Sequence, residues 1–360
     1  MAYIPPTSHV TLLATLRRER SLPVPGEIIV SVGQRVEAAD VVGRAENAEY
    51  HRLLDLSRLL GVPKDKVGTH LLRQEGDSVK KGEPLAQRQG ALGLGRRSVP
   101  SPVDGRLVLF DEGKALLAAV TVVELRAGLP GMVVSLAPGR SLLIETTGAL
   151  LEGLWGNGRE DFSVLRMLSA SPEAALDEAE LELSLRGAIV AAGWLADARP
   201  LQKLTEVGVR GLILGGAPAG LVPELQAVTF PVLITDRFGV PGFTQPVYNL
   251  LAGNSGREVW LNAHPADRFA GTRPEAILPL PVGGELPPPP VEGEPLQEGK
   301  RVRVLRGPDA GRVGTLIGLS DRPVPLPNGL RTQVAAIALD ETRGTRPTIT
   351  APFANLELLE

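Results

Sequence analysis

Apolar residues fall in short runs punctuated by glycine and proline, and one pattern recurs through the first third of the chain. Pro25-Gly26-Glu27-Ile28-Ile29-Val30, Asp104-Gly105-Arg106-Leu107-Val108-Leu109 and Pro130-Gly131-Met132-Val133-Val134-Ser135 each place a turn glycine before an apolar strand. A second unit also repeats: Gly33-Gln34-Arg35-Val36 followed by Val42 has the spacing of Gly76-Asp77-Ser78-Val79 followed by Leu85. Repeated supersecondary units bury a core that none could bury alone. Between the two copies, Tyr50, Leu53, Leu54, Leu56, Leu59 and Leu60 recur at helical spacing before Gly61 and Pro63, which predicts a helix over 47–60 inserted in or capping the β region. Ser141 to Glu145 reads as a strand and the glycines at 153, 156 and 158 as a turn. Ser171-Pro172-Glu173 has the cap, the proline and the acid that open a short helix.

From residue 187 to 263 the pattern changes. GAIVAAGW, GLILGG, PVLITD and REVWLN are apolar, β-rich runs, and the segments between them, ARPLQKLTEVGV, PAGLVPELQAV and FTQPVYNLLAGNSG, can each hold a helix. Strands alternating with helices predict βαβ crossovers and a small parallel, Rossmann-like sheet. Ligands of such sheets bind beyond the carboxyl ends of the strands, which here means Gly193, Gly215-Gly216-Ala217-Pro218 and Asp236-Arg237-Phe238-Gly239. Gly215, Gly216 and Asp236 are therefore the candidates for holding a nucleotide or an acidic metabolite. GLILGGAPAG is neither the GxGxxG fingerprint nor a P-loop, so a tight strand-to-helix turn and a capping aspartate are the competing reading.

Residues 278–297, with four consecutive prolines at 287–290, predict an extended polyproline II linker. Beyond it, Val302 and Val304 alternate with Arg301 and Arg303, and Gly307, Gly311 and Gly314 shape a loop and a return strand.

Two stretches carry a family resemblance. Gly76-Asp77-x-Val79-x-x-Gly82-x-x-Leu85 with Pro102-x-Asp104-Gly105 resembles the biotinyl/lipoyl-like barrel-sandwich hybrid, and this likeness covers roughly the first third of the chain. The resemblance implies a carrier lysine at a hairpin tip. The span 87–98 contains Arg88, Arg96 and Arg97 but no lysine, Lys66 precedes the motif, and Lys114 reads as a solvated turn residue, so no covalent biotin or lipoate is expected. Residues 298–316, EGKRVRVLRGPDAGRVGTL, resemble the KOW motif of ribosomal proteins and NusG-type transcription factors. That resemblance implies an SH3-like barrel that contacts RNA or protein, with Lys300, Arg301, Arg303, Arg306 and Arg312 as a phosphate-contacting strip. Over 298–360, however, nine Lys and Arg face seven Asp and Glu, and Phe353 is the only aromatic, a weak signature for nucleic acid.

Composition narrows the chemistry. A chain of 360 residues exceeds one ordinary core, so several domains are expected. The formal charge of −3 provides no global basic field for nucleic acid or an anionic membrane. Zero cysteines exclude disulfides, thiolate metal sites and cysteine nucleophiles. The four histidines, at 9, 51, 70 and 264, show no metal-ligand spacing. The N-terminus lacks a secretory pattern and no apolar run reaches membrane-spanning length, so a cytoplasmic location is expected.

The sequence thus predicts a multidomain protein, β-rich plus α/β. A barrel-sandwich-hybrid region spans 1–168, a Rossmann-like domain 169–277, a linker 278–297 and a KOW/SH3-like barrel 298–360. No catalytic constellation, metal or cofactor is indicated. The leading expectation is a non-catalytic scaffold with protein partners; RNA binding through the basic strip and a ligand-binding enzyme or sensor at the α/β domain are the alternatives.

Overall fold

The structure, a computed structural model, describes all residues except 1, 2, 4, 6, 9, 90–94, 240–241, 268–271, 291–293, 341–346 and 360. It is β-rich and built from several sheets.

The two glycine-led repeats adopt the same hydrogen-bonded unit. Gly33 donates its N–H to the Val133 carbonyl and Val133 donates back to Gln34; Gly76 donates to Leu107 and Leu107 donates back to Asp77. Both glycines have positive φ, 82° and 94°, which only glycine adopts at little cost. An acidic side chain closes the next turn in each copy, Asp40 accepting from the Glu37 N–H and Glu83 from the Lys80 N–H. Val36 and Val42 point inward in one copy, Val79 and Leu85 in the other.

The copies do not share one core. Val36, Val42 and Val133 pack with Leu16, Leu142 and Ile144, whereas Val79, Leu85 and Leu107 pack with Leu56, Leu60, Val99 and Leu117 in a cluster drawn entirely from residues 56–119. What joins them is a long antiparallel ribbon, β1 (Val41–Asp55) paired with β2 (Lys114–Arg126) over thirteen positions. At about 3.3 Å per residue the ribbon is about 40 Å long. The segment between its strands forms a separate lobe at its far end.

The ribbon corrects the expectation of a helix over 47–60. Residues 47–55 are strand, and only Leu56–Leu60 is helical, capped by Asp55 and ended by Gly61 in the left-handed conformation. The apolar spacing is compatible with a helix, but continuous pairing with β2 satisfies every second backbone group of the strand and overrides it. The Ser171-Pro172-Glu173 segment is likewise a turn, closed by the Ala174 N–H on the Ser171 carbonyl. Its cap signals are real, but no apolar helical face follows them.

The largest sheet has eleven strands. Towards one end of it, β3 (Ser141–Glu152) pairs with Val10–Ser21 on one side and with Gly131–Ala137 and Glu275–Pro279 on the other. The sheet then continues into β4 (Glu160–Met167), β5 (Ile189–Trp194), β6 (Gly211–Ala217) and β7 (Val232–Phe238), which run parallel in that order. Helices α1 (Arg199–Val207) and α2 (Val222–Ala227) cross between β5 and β6 and between β6 and β7; α3 (Gln245–Gly253) follows β7. These are the segments predicted helical from sequence. The REVWLN run, expected as a further parallel strand, is instead β8 (Glu258–Asn262), antiparallel to both β4 and Glu275–Pro279.

Alternate residues of the parallel strands explain their uninterrupted apolarity. Val190, Ala192, Leu212, Leu214, Val232 and Ile234 face α1 and α2, while Ile189, Ala191, Ile213 and Leu233 face α3 and the antiparallel strands. Because β4 belongs to the first 168 residues and β5 to the next segment, a single sheet crosses residue 168 without a break.

The C-terminal sheet of six strands includes β9 (Arg301–Val304) and β10 (Leu356–Leu359). Thr7–Ser8 adds as its edge, parallel to β10, and Tyr3 stacks near Phe353 with ring centroids 5.9 Å apart. The proline run before it lies against Val10–Ser21: Thr15 donates its N–H to Pro288 and its hydroxyl to Pro287. Leu296 enters the C-terminal core.

If the 56–119 cluster is a separate cooperative unit, Leu107→Ala should raise hydrogen-exchange rates of amides in 56–119 and leave those of β5 to β7 unchanged. Equal loss of protection in both regions would contradict this partition.

Candidate functional site at the carboxyl ends of the parallel strands

The crevice predicted to take a ligand is filled by the chain itself. Residues 169–176 run across the ends of β5: Ser169 Oγ accepts from the Gly193 N–H at 2.6 Å, and Leu176 donates to the Trp194 carbonyl. A Cβ on Gly193 would lie 2.4 Å from the Ala174 oxygen. A Cβ on Gly215 would meet Phe243 N at 2.2 Å, and one on Gly242 the Pro172 oxygen at 2.3 Å. These glycines serve backbone-to-backbone packing. Gly215 is therefore buried beneath the 242–243 backbone, and Gly216 beside it pairs with Trp194 and Arg237 in the ladder.

At the end of β7 the register slips. Leu214 opposes Ile234 but Gly216 opposes Arg237, so Thr235 and Asp236 together face Gly215. Such a bulge re-aims side chains. Asp236 is only 2 % exposed. It accepts from the Thr235 hydroxyl at 2.7 Å, and Thr244, the residue preceding α3, lies beside it.

The second charge in this site comes from the C-terminal sheet. Arg303, at 4 % exposure, is a cross-strand neighbour of Glu357 and donates to it through Nε. Its Nη1 donates to the Thr235 and Asp236 carbonyls, both at 3.0 Å, and lies 3.6 Å from Asp236 Oδ1. Arg273 donates to the other Glu357 oxygen at 3.2 Å. Glu357, Arg303 and Asp236, all buried, and the partly exposed Arg273 thus form an alternating chain of charge that ties the six-stranded sheet to the end of β7. Burial pushes the Asp236 carboxyl above the ordinary carboxylate range, opposed by Arg303 and by the hydrogen bonds from Thr235 and Thr244.

The remaining basic candidates are distributed as follows. Arg301 makes a two-pronged pair with Asp340, both contacts 2.6 Å; Lys300 pairs with Glu294; Arg312 pairs with Asp309 at 2.9 Å. Arg306 is exposed on the loop after β9. The structure therefore brings Arg303 and Asp236 together, keeps Arg312 nearby, and points Arg301 and Lys300 to carboxylates elsewhere. Sequence reasoning missed Glu357, Arg273 and Thr244, because only cross-strand register and the docking of two sheets identify them. Alternation offered one clue: Arg303 sits between two apolar residues in a strand whose outer face was assumed wet.

On the hairpin Pro84–Gln89 with Arg96–Pro100, Arg88 opposes Arg97. The hairpin tip, where the lipoyl-like resemblance would place a carrier lysine and the sequence has none, falls at 90–94, outside the described residues. Among the described residues no three His, Cys, Asp or Glu side chains are grouped to hold a metal ion, and no helix is long and apolar enough to cross a membrane. Compared with protein families and with curated proteins, the chain matches no family model and no curated sequence.

Arg303→Ala should destabilise the protein by about 3–5 kcal/mol, since it removes the buried guanidinium that lies between Glu357 and Asp236. Arg306→Ala should cost less than about 0.5 kcal/mol, as surface substitutions do. Urea denaturation of both variants measures the contrast, and similar small losses would contradict the burial argument.

The raised Asp236 carboxyl gives a pH signature. Between the ordinary aspartate value and the raised one, the folded state binds a proton that the unfolded state has lost, so this group's contribution to stability falls as pH rises. The stability lost on Asp236→Asn should accordingly shrink as pH is raised from about 4 to about 8, a range that starts at the ordinary aspartate value. A loss that grows with pH would contradict the direction of the shift.

Proposed function

We propose that the chain is a non-catalytic, multidomain scaffold of a cytoplasmic complex that engages protein rather than RNA. In this reading the 56–119 lobe is a lipoyl-like barrel-sandwich module without a carrier lysine, the β5–β7 region is Rossmann-like, and 298–360 is a KOW-type SH3-like barrel. One observation carries the proposal: the two sets of residues that suggested chemistry meet and neutralise each other, Arg303 of the basic strip against Asp236 of the ligand crevice. A strip with Arg303 buried and Lys300, Arg301 and Arg312 on carboxylates offers a phosphate backbone little free charge.

A protein partner is favoured by the lobe's outer face. Leu53 opposes Leu116, and Leu116 opposes Leu109 on Gly105–Asp111, so three leucines lie in one row across three strands. Leu53 is 62 % and Leu109 49 % exposed, and Val108 bulges out beside them. A charged or polar row would be the ordinary surface choice.

Fluorescence anisotropy with a labelled single-stranded RNA tests the choice, using the full chain because Thr7–Ser8 completes the C-terminal sheet. No saturable binding at submicromolar protein is expected at physiological salt. Submicromolar affinity that falls steeply with salt and is lost in Arg301→Glu with Arg306→Glu would overturn the proposal in favour of the RNA-binding reading.

A further inference from the structure

Arg237 is a charge at the site for which the described residues supply no ion pair. It follows Asp236 at the end of β7, and its stem packs on Gly311, whose Cβ, if present, would lie 3.0 to 3.1 Å from Arg237 Cβ, Cδ and Nε. Gly311 also has a φ of 81°. The loop at Gly307–Arg312 can therefore close over Arg237 only with glycine at 311. The Nε of Arg237 is fully buried and has no hydrogen-bond partner among the described residues, although the side chain as a whole is partly open to solvent.

The surrounding charge does not compensate for it. Three groups bear on Arg237: Asp236 with opposite sign, and Arg303 and Arg312 with the same sign. Asp236 is already engaged by Thr235 and Arg303. Arg312 is half-exposed and holds Asp309. Burial, reinforced by Arg303 and Arg312 and opposed by Asp236, draws the Arg237 guanidinium below its ordinary value. A guanidinium loses hydration on burial and regains it through a partner with two acceptor oxygens, which its planar fork matches.

We propose that Arg237, with Arg312 beside it, forms a binding site for a small oxyanion, a phosphate or carboxylate group, at the junction between the end of β7 and the Gly307–Arg312 loop. The anion accepts from the Nη–H groups at the open end of the Arg237 guanidinium and takes its second positive charge from Arg312. This site lies outside the filled crevice at Gly193, Gly215 and Gly242, and it does not depend on the scaffold reading.

Isothermal titration of the full chain with inorganic phosphate and, separately, with succinate, at ionic strength held constant with chloride, tests the proposal and distinguishes the two oxyanion classes. Saturable binding of one or both is expected. Affinity should fall at least tenfold in Arg237→Gln and less in Arg312→Gln. Circular dichroism of the variants controls for folding, and if Arg237→Gln does not fold, Arg237→Lys, which keeps the charge but loses the fork, should still weaken binding. No saturable binding of either anion to the wild-type chain, or unchanged affinity in a folded Arg237 variant, would overturn the site.

Discussion

Arg303 sets the constraint on which the junction of this molecule depends. A guanidinium removed from water must be met by several acceptors, and Glu357 of the C-terminal sheet is one of them. The carbonyls of Thr235 and Asp236 are two more, and they lie at the bulge that ends β7. The junction is thus specific by necessity. Any displacement of the two sheets would leave buried charge unanswered, whereas an apolar contact would tolerate sliding. The same dependence explains the close glycine contacts at 193, 215 and 242, which let backbone fill the rest of the crevice.

A second feature, the β1–β2 ribbon, organises the other end of the chain. Each repeat is a turn glycine, a back-and-forth pair of backbone hydrogen bonds and an acidic cap, yet each copy contributes its valine and its partner apolar residue to a different core. The two copies of this local unit therefore lie in different cores. The ribbon keeps the copies apart and presents the outer lobe, with its leucine row, away from the rest.

Much of this was legible from local pattern. Gly33 and Gly76, the inward Val36 and Val79, and the three helices between 199 and 253 follow from turn chemistry and alternating burial, which are properties of neighbouring residues. The strand at 47–55 was not legible, because its leucines satisfy helical spacing and only its partner, some seventy residues away, decides the matter. The site was half legible. Asp236, Gly215 and Arg303 stand out by type and position, but reading them as two separate ligand surfaces treated residues from different segments as solvent-facing. Glu357 and Arg237 carry no motif at all, and their roles arise from the docking of one sheet on another.

The account stands on the energetic coupling of Arg303 to Asp236 across that junction. A double-mutant cycle with Arg303→Met and Asp236→Asn, followed by urea denaturation, measures it. Coupling of about 1–3 kcal/mol is predicted, the upper part of the range for contacting charged residues. Additive effects, within about 0.3 kcal/mol as for independent sites, would show that the two residues do not hold the sheets together and would contradict the account.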